Sequence, residues 1–186
     1  MTLFDQFLIS QYHHFYPKNF SDINSNEYLS SEEFKKLCSI SSFFNKDDSS
    51  WKEIEIYFQK SIDRPFKSRN FKGVTDRSYC FDIILDIHPE EYIRTITTNV
   101  SFIIPYYTIG VLYSPSNPVL PTISYSFNKI SLEVKEIIDK KMQSFNYHEF
   151  PSELLGQAMP MATLGNMNPP INYQKAFFFD LQERRI

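Results

Sequence analysis

The sequence predicts an α+β protein, an antiparallel β-meander sheet of four to five strands covered by helices, with a mainly helical N-terminal part. Three observations carry this expectation. Apolar residues recur at spacings of three and four up to residue 62, strict alternation takes over from residue 78, and an amphipathic stretch returns at 130–145. With 186 residues, 42% of them hydrophobic and 17% aromatic, the chain has material for the core of one globular domain spanning 1–186.

In residues 3–15, Phe4, Leu8, Tyr12 and Phe15 form the stripe of a helix lying on a core. Ser30 and Glu33 have capping-box spacing, and Phe34, Leu37 and Cys38 share the face of a second helix. Around Trp51 the pattern fits two readings. Ile54, Ile56 and Phe58 alternate as in a strand, whereas Trp51, Ile54, Phe58 and Ile62 make a helical stripe behind a Ser50/Glu53 capping box. The acids before the cap suit a helix N-terminus, so the helix is preferred. The basic stretch from Asp63 to Arg77 reads as an irregular connection.

From residue 78, Phe81, Ile83, Leu85 and Ile87 alternate with Asp82, Asp86 and His88, as on a sheet with one covered and one wet face. Further strand candidates follow in "RTITTNVSFII", "YYTIGVLYS" and "TISYSF", giving a sheet over 78–128. The segment 130–145 predicts the covering helix, with Ile130, Val134, Ile137, Ile138 and Met142 inward and Glu133, Glu136, Asp139, Lys140 and Lys141 outward. A loop-rich tail over 147–186 ends in "KAFFFDL", a short strand or anchored segment.

A formal charge of −3 supplies no overall cationic field for nucleic acid or a membrane surface. No apolar run is long enough to span a bilayer, and the N-terminus lacks the pattern of a secretory signal, so the cytoplasm is the expected compartment. Cys38 and Cys80 fit no metal or redox spacing and are expected as reduced, buried thiols. No GxSxG, P-loop, GxGxxG or HExxH motif occurs, and four glycines cannot build a Gly-rich phosphate cradle. No catalytic residue, cofactor or small-molecule substrate is therefore assigned.

Two patterns suggest chemistry. Asp82, Asp86 and His88 on one strand face, with Asp and His about 6 to 7 Å apart, would suit a metal-dependent hydrolase. Glu90 and Glu91 follow directly. Arg64, Lys67, Arg69, Lys72 and Arg77, interleaved with Phe66 and Phe71, have the composition of a single-stranded nucleic-acid binder. His13 and His14, adjacent on a helix, point about 100° apart and cannot chelate as an i, i+4 pair. His148 lies beside Glu149 in a turn-like segment.

"SFIIPYYTIGVLYSP" reads as a strand bent at an edge or bulge by Pro105, so that Tyr106 and Tyr107 project to opposite faces, one packed and one wet. Tyrosine offers contact area and a hydroxyl at small entropic cost, which suits a protein interface.

The helix led by Trp51, the "VSFIIPYYTIGVLYS" segment and the C-terminal "MPMATLGNMNPPINYQKAFFFDL" together resemble the small immunity proteins of bacterial polymorphic-toxin systems, over residues 50–186. That resemblance implies a non-catalytic α+β protein whose partner is a cognate toxin that it occludes, and it transfers no site residues. Should the toxin be a nuclease with a basic cleft, Asp47, Asp48, Glu53 and Glu55 would stand in for phosphates, with Tyr106 and Tyr107 adding contact area.

Overall fold

In a computed structural model of the protein, which describes residues 1–17, 25–46, 49–69, 77–88, 91–115, 121–160 and 171–178, the predicted N-terminal stripe forms helix α1, Leu3–Phe15. Thr2 and Asp5 close a capping box, the Asp5 amide donating to Thr2 Oγ1 at 3.1 Å and the Thr2 amide to Asp5 Oδ2 at 2.7 Å. Helix α2 is Asn26–Ser30 and α3 is Glu32–Lys46. Ser31 joins them: its amide donates to the Tyr28 carbonyl, and its Oγ accepts from the Phe34 amide at 3.2 Å. The cap of α3 thus falls one residue later than the Ser30/Glu33 spacing suggests. Around Trp51 the chain is helical, with α4 over Ser49–Ser61 burying Trp51, Ile54 and Phe58. Ser50 lies inside that helix and does not cap it.

Six strands make the sheet: β1 Phe66–Arg69, β2 Ser78–His88, β3 Tyr92–Ser101, β4 Tyr106–Pro115, β5 Thr122–Ser124 and β6 His148–Glu149. The first five lie side by side in chain order, each antiparallel to its neighbour, as the predicted meander requires. The basic segment read as a connection therefore contributes the edge strand β1. Strand β6 pairs in parallel with the start of β4, matching Tyr106 with His148 and Tyr107 with Glu149. Pro105 does not bend a strand. It ends the four-residue link between β3 and β4, where the missing amide costs no ladder bond and its carbonyl accepts from the His148 amide at 3.0 Å.

Helix α5, Lys129–Ser144, starts at Asn128, whose side chain accepts from the Ser131 amide at 3.0 Å. Together α4 and α5 cover one sheet face, where Phe81, Ile83, Ile96, Val100, Ile109 and Val111 meet Trp51, Phe58, Val134, Ile138 and Met142. Ile130, expected inward, is 40% exposed in the first turn of α5. The opposite face is not wet. Ser78, Cys80, Asp82, Thr95, Thr97, Asn99, Ser101 and Thr108 are all buried, and hydrogen bonding meets several of their polar groups. Ser78 and Ser101 donate to the carbonyls of Phe178 and Phe177, each at 2.8 Å, and the Asn99 amide donates to Thr108 Oγ1 at 3.3 Å.

A second apolar cluster joins α1, α2 and α3 to Ile103, Ile104, Phe150 and the C-terminal segment. There α6 spans Ser152–Leu155 and α7 spans Tyr173–Phe177. The stretch expected as a short strand is thus a buried helical turn up to Phe177, capped by Asn172, which accepts from the Lys175 amide at 2.8 Å. Among the described residues no helix is long and apolar enough to cross a membrane.

Candidate protein-binding surface

The set Asp82, Asp86 and His88 does not converge. Strand β2 pairs Ile83 with Ile96 and Ile84 with Thr95, but then Asp86 with Arg94, leaving Leu85 as an extra residue in a bulge. The bulge reverses the alternation, so Asp86 and His88 join the face of Ile83 while Asp82 stays on the other. Asp86 accepts from the Arg94 guanidinium. Burial works against the Arg94 charge, yet hydrogen bonding to Tyr113 and the Asp86 carboxylate hold its pKa above the ordinary value. The His88 ring packs against Tyr92 at 4.6 Å, and buried Asp82 lies 3.7 Å from Cys80 Sγ. Glu91 follows in the turn, and Glu90 lies outside the described residues. Among the described residues no three potential metal ligands group together. Neither glycine nor proline marks the bulge in the sequence, so nothing there signalled the reversal.

The basic segment is also used internally. Arg64 donates to the Leu85 carbonyl and Arg77 to that of Lys175, while Phe66 packs in the core against Phe58 and Phe81. Lys67 is exposed on β1. Phe71 and Lys72 lie outside the described residues, and Arg69 is described in its backbone alone. Cys38 and Cys80 are free thiols, Cys80 buried and Cys38 partly so, with burial raising the Cys38 pKa.

Of the predicted acidic patch, Asp47 and Asp48 lie outside the described residues. Glu53 accepts from Lys141 Nζ at 2.8 Å, tying α4 to α5, with 64% of its side chain still exposed. Glu55 accepts from the Tyr79 hydroxyl at 2.6 Å, tying α4 to β2.

The two tyrosines divide as their alternation requires. Tyr107 faces α5, is 1% exposed, and donates its hydroxyl to Asp139 Oδ1 at 2.7 Å. Lys135 bridges Asp139 and Glu149 at 2.6 and 2.7 Å, so that one network fastens β4, α5 and β6. Burial pushes the Tyr107 pKa up, and the Asp139 carboxylate adds to the shift. Tyr106 is half-buried, with its ring 5.6 Å from Phe4, 5.8 Å from Phe150 and 6.0 Å from His148. Beside Phe4 on α1, Leu3 is 84% and Phe7 37% exposed. Leu3 and Phe7 thus give α1 exposed apolar surface, while the half-buried Tyr106 meets the same helix through Phe4. Leu3 and Phe7 were visible in the sequence as an i, i+4 apolar pair off the buried stripe.

Further along α1 opens a cleft of about 980 Å³. One wall is α1, with Gln6, Ile9, Ser10, His13 and His14, and the other is the start of α2 and α3, with Glu27, Ser31, Glu32 and Glu33. Met1 and Pro17 complete it. His13 and His14 diverge as adjacent helical residues must, yet both border this cleft because it is wide enough to wrap around the helix.

Comparisons with known protein families, with curated proteins and with solved structures find no match for this chain.

Proposed function

We propose that this chain is a non-enzymatic protein-binding module, an immunity protein that binds and neutralises a cognate bacterial toxin in the cytoplasm. The observation that supports the reading is the exposed apolar pair Leu3 and Phe7 on α1, the helix whose Phe4 packs on Tyr106 of β4. Large apolar side chains exposed together are characteristic of surfaces that meet another protein. Aromatic anchors dominate such contacts when their backbone is already fixed, because little entropy is then lost on binding. Here the neighbouring Tyr107–Asp139–Lys135–Glu149 network fixes the strand that carries Tyr106. The sequence resemblance adds the class of partner. The acids at 47, 48, 53 and 55 would contribute electrostatic steering, with Glu53 and Glu55 as their described members.

Co-expression with the product of the adjacent gene tests this. A one-to-one complex and rescue of growth are expected. Exchanging the exposed Leu3 and Phe7 for serine should weaken the complex by at least about tenfold while leaving the melting temperature within a few degrees. Absence of both complex and rescue would overturn the reading.

A further inference from the structure

Helix α1 differs from the other long helices in what it shows to water. On α4 the exposed Ile56 lies between Lys52 and Lys60, and on α5 the exposed Leu132 lies between Lys129 and Glu136, each at helical spacing. The exposed positions along α1 are Leu3, Gln6, Phe7, Ser10 and His14, and none of them is Asp, Glu, Lys or Arg. The one carboxylate of the helix, Asp5, closes its cap and accepts from the Tyr173 hydroxyl. Depletion of charge on an outer face is what marks the centre of an interface. With Leu3 84% exposed, no described element stands over this face. Residues 18–24, which follow α1, lie outside the described residues.

Leu3, Phe7, Ser10 and His14 follow the 4-3-4 spacing of a coiled-coil seam, lie within about 60° of one another, and stand roughly opposite Leu8 and Tyr12 in the core. We infer that this seam pairs α1 with α1 of a second copy of the chain, antiparallel, in a two-fold symmetric dimer. The sizes along the seam carry the choice of occupant. Turned end for end about a point midway between Phe7 and Ser10, the stripe sets each Phe7 ring against the small Ser10 of the second copy and each Leu3 against its His14. A parallel pair would instead stack Phe7 on Phe7 and leave a void between the serines. The antiparallel arrangement also opposes the two helix dipoles and brings each Met1 ammonium to the carbonyl end of the other α1, where a cation is favoured. The contact is small: a helix of 13 residues is about 20 Å long and 10 Å across, so two of them fall short of the roughly 1,200 Å² that a stable complex buries. The dimer is therefore weak and reversible. It covers the same Leu3 and Phe7 that the proposed partner surface exposes, so a partner binding there competes with the second copy. The pairing itself stands without the toxin reading.

The test is sedentation equilibrium of the full chain alone, over roughly 10 µM to 1 mM, the span of a weak interface. The mean mass should rise from 22.1 kDa towards twice that value. Association should hold or tighten as salt is raised, because each copy carries −3 and the seam contains no ion pair. Ser10→Arg, at an exposed position where arginine is a good helix former, should weaken the dimer at least about tenfold with the far-UV circular dichroism unchanged. Ser39→Arg, exposed on α3, should leave it as it is. Register is read by disulfide trapping: Leu3→Cys mixed with His14→Cys should give a cross-linked pair under mild oxidation, and Leu3→Cys alone should not. A chain that stays monomeric at the highest concentration would overturn the pairing and leave the immunity reading intact. Loss of association with salt, a Ser10→Arg variant that dimerises normally, or cross-linking of Leu3→Cys with itself would overturn it as well.

Discussion

Tyr107 shows how much one hydroxyl can organise. Its ring lies in the core against α5, and its oxygen reaches a carboxylate that is already paired with Lys135. Tyr107→Phe removes one hydrogen bond to a charged group and leaves the Lys135–Asp139 pair in place, so a loss of about 1–2 kcal/mol is expected in urea unfolding, with the native fold kept. The inward course of Tyr107 was legible, since it alternates in phase with Ile109 and Val111. The Asp139 contact was not. Helical periodicity placed Asp139 on the wet side of α5, but it lies near the edge of the apolar stripe, where a tyrosine from the sheet reaches it. Periodicity gives a direction around the helix and does not give the length of the side chain opposite.

Among the elements, the three-residue strand β5 depends on a glycine. A Cβ added at Gly110 would fall 2.9 Å from Ile123 Cγ1 and Cδ1 and 3.2 Å from Tyr125 Cε1, so β5 lies against a position without a side chain. Gly110→Ala should push β5 outward at a cost of about 1–2 kcal/mol, seen as a lower melting temperature and faster amide exchange in Val111–Tyr113, the residues that β5 covers. Helices α1, α3, α4 and α5 and the three long strands β2, β3 and β4 could be read because their periods of 3.6 and 2 are distinct over ten residues or so. The link at 102–105 could not, because Phe102, Ile103 and Ile104 are as apolar as any strand and are buried without belonging to one. Asp86 escaped for a related reason: one inserted residue changes its face and leaves the composition of the strand untouched.

At the scale of the molecule, two apolar clusters share the chain, one between sheet, α4 and α5, the other between the N-terminal helices and the C-terminal segment, with Ile40 packed against both. Both contain tyrosines whose pKa is raised. Burial drives Tyr12 upward in the N-terminal cluster, with Tyr16 and Tyr28 adding to it, and pushes Tyr28 to about 12. Tyr107 is raised in the sheet cluster. A phenol whose pKa is higher folded than unfolded holds its proton more tightly in the native state, so its contribution is intact below the unfolded value near 10 and is lost as pH rises further. For Tyr28 that loss runs from pH 10 to about 12. Chemical-denaturation curves between pH 8 and 11 should therefore show stability level at first and falling above 10, and Tyr28→Phe should flatten part of the fall. An unchanged slope in that variant would show that Tyr28 is not among the groups responsible.

The two ends of the fold are fastened to each other. The Tyr16 hydroxyl donates to the Ala176 carbonyl at 3.2 Å across 160 positions of chain, and that of Tyr173 donates to Asp5 Oδ1 at 3.3 Å. During synthesis α1 leaves the ribosome well before residues 173–178, from which its seat is built. At usual translation rates it waits on the order of ten seconds or more for them. A surface centred on α1 is thus completed only once those residues have emerged, and the nascent chain has little to offer a partner before then.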